Sequence, residues 1–138
     1  MTTILGFDPG RGKCGVAVVR DSSGAERVIL HHDVVAAELA LSAIAALVVE
    51  HGVTQLVLGD QTSSREWRGE LEEIVKLPIA LVDERNSTLE ARDRYWKMYP
   101  AAGLKRWIPQ PLRSIPGPVD GIVAILLIER YLCQQPAD

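Results

Sequence analysis

A change of hydrophobic period along the chain constrains the fold more than any other feature. Ile4-Leu5-Gly6-Phe7, Gly15-Val16-Ala17-Val18-Val19 and a run that begins at Val28-Ile29-Leu30 and can extend to Val35 are short apolar segments. Asp8-Pro9-Gly10 ends the first, and Asp21-Ser22-Ser23-Gly24 follows the second. Short links of turn residues join antiparallel neighbours, so these runs predict a three-stranded meander. From Ala36 the pattern becomes helical, an Ala- and Leu-rich stretch that reaches His51 and stops at Gly52. Strand-like Gln55–Leu58 and Ile79–Val82 then alternate with helices. One helix opens at Ser64 and runs to about Lys76. The next opens at Ser87, which has capping-box spacing to Glu90, and runs to about Tyr99. A stretch rich in Pro and Gly spans Pro100 to Pro118, and Asp120 to Cys133 predicts a last helix. The order β-β-β-α-β-α-β-α-α implies an α/β fold, antiparallel at first and then with parallel neighbours.

The 138 residues fit one domain, 1–138, with a frayed tail from about residue 134. Hydrophobic residues at 47% and charged residues at 24% exclude general disorder. A net charge of -3 excludes a protein that coats nucleic acid with its whole surface, but leaves room for a local basic face. Cys14 and Cys133 have no metal-ligand spacing and read as reduced thiols. The first apolar run reaches Asp8 too soon to hold a signal segment, and Ile122–Ile128 falls far short of the ~20 residues of a membrane span. A soluble, cytoplasmic protein with no membrane partner is therefore expected.

Gly10-Arg11-Gly12-Lys13-Cys14-Gly15 has the letters of a dinucleotide fingerprint but not its context. That fingerprint must lead into a helix whose N-terminus takes the pyrophosphate, and here a second strand follows. The acids are more informative. Asp8 ends the first strand, Asp60 follows the fourth, Glu84 follows the fifth and Asp120 opens the last helix. Each alone has an ordinary explanation: turn chemistry for Asp8 and Asp60, pairing with Arg85 for Glu84, and the helix dipole for Asp120. Together they sit where the strand ends of one sheet edge bring distant residues into reach. Oxygen-only ligands suit Mg²⁺ or Mn²⁺, and two such ions ~3.5–4 Å apart can clamp the attacking and leaving oxygens of a phosphodiester.

The chain resembles the YqgF/RuvX family of the RuvC-like, ribonuclease H-like superfamily. The resemblance rests on Leu5-Gly6-Phe7-Asp8-Pro9-Gly10 with Gly15-Val16-Ala17-Val18, on Leu56-Val57-Leu58-Gly59, on Asp83-Glu84-Arg85-Asn86-Ser87-Thr88 with Glu90-Ala91, and on Asp120-Gly121-Ile122-Val123-Ala124 with Tyr131-Leu132. It implies a ribonuclease H-like mixed five-stranded sheet, three antiparallel strands and then two parallel ones, flanked by helices. It also implies a nuclease dependent on Mg²⁺ or Mn²⁺ whose acids fall on Asp8, Glu84 and Asp120. The expected partner is structured nucleic acid, RNA or branched DNA, as in maturation of the 16S rRNA precursor or Holliday-junction cleavage. Two features depart from the family pattern. Gly59-Asp60-Gln61-Thr62 stands where a Gly-Leu-Pro turn is usual, and Gly121 follows Asp120. Asp60 is thus not supplied by the family, although superfamily relatives place an acid near this strand end. It is either a fourth ligand or a turn residue.

Residues 92–113 carry Arg92, Arg94, Lys97, Lys105, Arg106 and Arg113 against the single acid Asp93, interleaved with Tyr95, Trp96, Tyr99 and Trp107. Cations bind phosphates and flat rings stack on unpaired bases. Trp96 or Tyr95 is expected in the core. Lys105, Arg106 and Arg113 are expected to hold nucleic acid, together with Arg85 beside Glu84 and with Arg11 and Lys13 in the glycine loop near Asp8. His31, His32 and His51 are expected to be structural or exposed. Two other functions fit parts of the pattern: a binding module of this fold that has lost activity, and a phosphate-handling ATPase of the actin and sugar-kinase group. The latter needs two such domains, and this length supplies one.

Overall fold

Five strands form one mixed sheet in a computed structural model that describes residues 2–22, 27–60, 64–83, 87–99, 107 and 120–134, with the backbone alone described at 87–89, 120 and 134. The strands are β1 (Thr2–Asp8), β2 (Lys13–Asp21), β3 (Val28–Ala36), β4 (Gln55–Gly59) and β5 (Ile79–Val82), in the spatial order β3-β2-β1-β4-β5. β1 pairs antiparallel with β2, from Thr2 opposite Asp21 to Asp8 opposite Gly15. β2 pairs antiparallel with β3, with a register shift between Val18 and Val19. β4 lies parallel to β1, Phe7 beside Leu58, and β5 parallel to β4. The expected fold class is the observed one.

Alternation along the strands builds two cores. Ile4, Ala17, Val19, Val57 and Val82 face one layer, made by α3 (Ser87–Met98) and α4 (Asp120–Gln134). Leu5, Phe7, Val16, Val18, Leu56 and Leu58 face the other, made by α1 (Ala40–His51) and α2 (Ser64–Ile74). β1 is buried on both faces, as a central strand of near-continuous apolar sequence must be.

α4 packs across all five strands. Glycine permits this at two points. A side chain at Gly6 would meet the Ala124 carbonyl oxygen and Ile128, and one at Gly121 would stand 3.0–3.3 Å from the Asp33 backbone. At the far end of α4, Arg94 of α3 holds both carboxylate oxygens of Glu129 at 2.9 Å. Arg130 donates to the Asp83 carbonyl at 2.6 Å and pairs with Glu90 at 2.9 Å. Trp96 is buried, as expected.

Helix boundaries differ by more than one residue in two places, for local reasons. A 3-10 turn, Ala37–Leu39, precedes α1, because the Ala37 N–H donates to the Gly12 carbonyl and keeps the chain against the β1–β2 turn. α2 ends at Ile74 rather than about Lys76, three residues before Leu77, which Pro78 disfavours in a helical conformation. α1 stops as expected at Gly52, which takes φ 64°.

Candidate functional site

Asp8 closes the central strand and is 9% exposed, one of two buried polar residues in the described core with Thr3. It continues the Ile4–Gly6 side of β1, so strand alternation turns it towards the α4 face. Gly15 lies directly opposite on β2. The Phe7–Leu58 pairing sets Gly59 beside Asp8 on β4. The residues directly beside Asp8 on both flanking strands are thus glycines.

Asp60 stands one residue further along β4 and is exposed. Its N–H donates to the Val82 carbonyl at 3.0 Å, which extends the β4–β5 ladder and fixes its backbone at the same sheet edge as Asp8. β5 ends there too, at Val82-Asp83, and Arg130 holds the Asp83 carbonyl. Asp120 is the first residue of α4. Its neighbour Gly121 rests on Asp33, which lies in the pairing row Phe7–Val16–Asp33. Two strand spacings, about 10 Å, separate that row's ends. The C-terminal edge of β1, β4 and β5 thus gathers Asp8 and Asp60, with the start of α4 standing over β3 nearby. This is the edge at which open α/β sheets take ligands.

Glu84, Arg85, Lys105, Arg106 and Arg113 lie outside the described residues. Among the described residues no group of three or more His, Cys, Asp or Glu is gathered about one point. The donor chemistry still fits a hard cation: an almost buried carboxylate at a strand end, flanked by two glycines, with further acids at the same edge.

The basic candidates divide between faces. Lys13 opens β2 with the parity of Gly15 and Ala17, which is the Asp8 face. Arg11 instead lines a cleft of about 440 Å³ with Glu38, Glu66, Trp67 and Glu70 on the α2 side, where Trp67 meets Phe7 edge-on at 5.0 Å. Two of the cations in residues 92–113 are paired with acids. Arg94 is bound to Glu129, and Lys97 pairs with Asp93 at 3.1 Å. The histidines divide as well. His31 lies 6.5 Å from the His51 ring, while His32 Nε2 is 3.4 Å from the Tyr99 hydroxyl. That second contact belongs to a groove of about 820 Å³ between β3, the end of α3 and the start of α4. Sequence reasoning missed the groove, because no spacing links His32 to a tyrosine 67 residues away. Its one visible signal was the pair of tyrosines among the cations. Among the described residues no helix is long and apolar enough to cross a membrane.

The same architecture occurs in RuvC of Thermus thermophilus, with TM-score 0.58 and 14% identity over 95% of both chains. T. thermophilus RuvC in complex with Holliday junction substrate gives 0.57 and 15% over 96% of both. At such identities the likeness is one of fold alone, and the fold is RuvC-like, ribonuclease H-like α/β. The family described as RuvX, Holliday junction resolvase, matches residues 2–134, and the chain belongs to that family. Its relatives include proteins named "Putative pre-16S rRNA nuclease". Those of Xylella fastidiosa (strain M23) and Xanthomonas campestris pv. campestris (strain B100) are each 30% identical, covering 94% of this chain and 86% of the relative.

Proposed function

We propose that this chain is a single-domain, divalent-metal-dependent nuclease that hydrolyses phosphodiester bonds in structured nucleic acid. The substrates it fits are the 5′ region of a 16S rRNA precursor and four-way DNA junctions, which would make it a cytoplasmic enzyme. The observation that carries this reading is Asp8, a nearly buried carboxylate at the end of the central strand, between two glycines and on the face that α4 covers. Membership of the RuvX family and the nuclease names of its relatives support it.

In this reading Asp8, Glu84 and Asp120 hold Mg²⁺ or Mn²⁺, and Asp60 is a fourth carboxylate. The cations, when bound, neutralise charge on the phosphate and lower the pKa of a coordinated water. The chain's own residues do the rest. Asp8 sits on a strand paired on both sides, so the backbone that carries its carboxylate is fixed before any ligand binds. Asp60 is exposed at the same edge, where a carboxylate can orient a water or accept its proton. Lys13 on the Asp8 face, with Arg85, Lys105, Arg106 and Arg113, supplies cations for the phosphate backbone, whereas Arg11 stands among Glu38, Glu66 and Glu70 on the α2 side.

The test offers precursor rRNA, single strands and four-way junctions side by side, with Mg²⁺, Mn²⁺ or chelator. Cleavage of at least one structured substrate that chelator stops is the expected result. Binding without cleavage in either metal would make the chain a non-catalytic module of this fold. ATP hydrolysis without cleavage would move it to the phosphate-handling class.

A further inference from the structure

We infer that the groove between β3, the end of α3 and the start of α4 is a subsite for an unpaired nucleotide of the bound nucleic acid. Its position next to the cut rests on the nuclease reading above. The groove holds about 820 Å³, within the ~300–1,000 Å³ of built ligand pockets. Its floor is β3 from His32 to Ala36, roughly 13 Å of strand.

The two ends of that floor differ in chemistry. Ala36 pairs with Lys13, so an ammonium stands at the end near the β1–β2 turn. His32 pairs with Ala17, and there Tyr99 stands over the strand, its hydroxyl 3.4 Å from His32 Nε2. Tyr99 is 46% exposed, while Tyr95 behind it packs on the core with ring centroids 5.1 Å apart. A half-exposed ring with a fixed ring behind it is a stacking platform, and a cation at the far end of the same floor suits a phosphate. A nucleotide carries both groups.

The groove also adjoins the candidate centre. Val34 on its floor pairs with Gly15, and Gly15 pairs with Asp8. The row spans two strand spacings, about 10 Å, and Gly15 puts no side chain between its ends. A strand whose phosphate lies at Asp8 can therefore set a neighbouring nucleotide in the groove.

The test uses six-nucleotide DNA and RNA single strands, each with one 2-aminopurine. They are bound in Ca²⁺ and checked to be intact afterwards. Stacking on Tyr99 should quench the 2-aminopurine fluorescence. Tyr99→Ala should remove the quenching and weaken binding roughly tenfold, and Tyr99→Trp should retain both. Ala36→Trp fills the groove from its floor and should have the same effect as Tyr99→Ala, which guards against a folding defect in either variant. Quenching with either strand supports the subsite, and the stronger arm tells DNA from RNA. Absence of quenching in the wild-type protein, or unchanged quenching and affinity in both Tyr99→Ala and Ala36→Trp, would overturn it. Quenching in a protein that cleaves nothing would leave the subsite standing and remove the nuclease reading. Cleavage without quenching would do the reverse.

Discussion

Asp8 and Asp60 leave neighbouring strands at one edge of the sheet in unlike surroundings, the first nearly buried and the second exposed. The bond that fixes Asp60 is made by its backbone N–H, so Asp60→Asn preserves it. As a fourth carboxylate, Asp60→Asn should lower the cleavage rate about a hundredfold, the scale of one positioned catalytic group, and raise the metal concentration required. Near-normal rate and metal dependence would reduce Asp60 to a turn residue. Asp8 was legible in the sequence because it ends an apolar run. The role of Gly6 was not, because glycine within a strand marks a close approach without naming the partner. Gly6→Val should cost about 1–3 kcal/mol or more by driving a side chain into the Ala124 carbonyl and Ile128. Gly12→Val meets open space and should be far milder. Denaturant midpoints compare the two, and equal midpoints would contradict the packing.

At the scale of elements, α4 acts as a crossbar. Its first turn sits on β3 at Asp33, its middle on β1 at Gly6, and Arg130 reaches the end of β5. Arg130 grips Asp83 and Glu90, the two sides of the segment that carries Glu84. Arg130→Ala should cost only about 1 kcal/mol, since the ion pair is partly exposed and one carbonyl bond is lost. It should nevertheless speed amide exchange across the first turns of α3, with Arg130→Lys intermediate. Unchanged exchange would show that the grip holds nothing in place. Element types and most boundaries followed from period, glycine stops and capping residues. The 3-10 turn before α1 did not, because it arises from a tertiary hydrogen bond to Gly12.

For the whole molecule, the change of period fixed the meander and the later parallel strands. Placing β1 between β2 and β4 required the fold itself, and that placement brings Asp8 and Asp60 to one edge. Local runs state which strands exist, whereas their order depends on contacts across the chain. The same distance in sequence hid the groove, whose walls come from β3, α3 and α4. The proposed metal-dependent cleavage requires Asp8 to hold a cation at this edge. Asp8→Asn keeps the size of the side chain and removes the charge that a cation there would require. The decisive measurement compares Mg²⁺- and Mn²⁺-dependent cleavage by the wild-type and Asp8→Asn proteins, with circular dichroism confirming that both are folded. The folded variant should cleave no substrate that the wild type cleaves. Full metal-dependent activity in folded Asp8→Asn would contradict it.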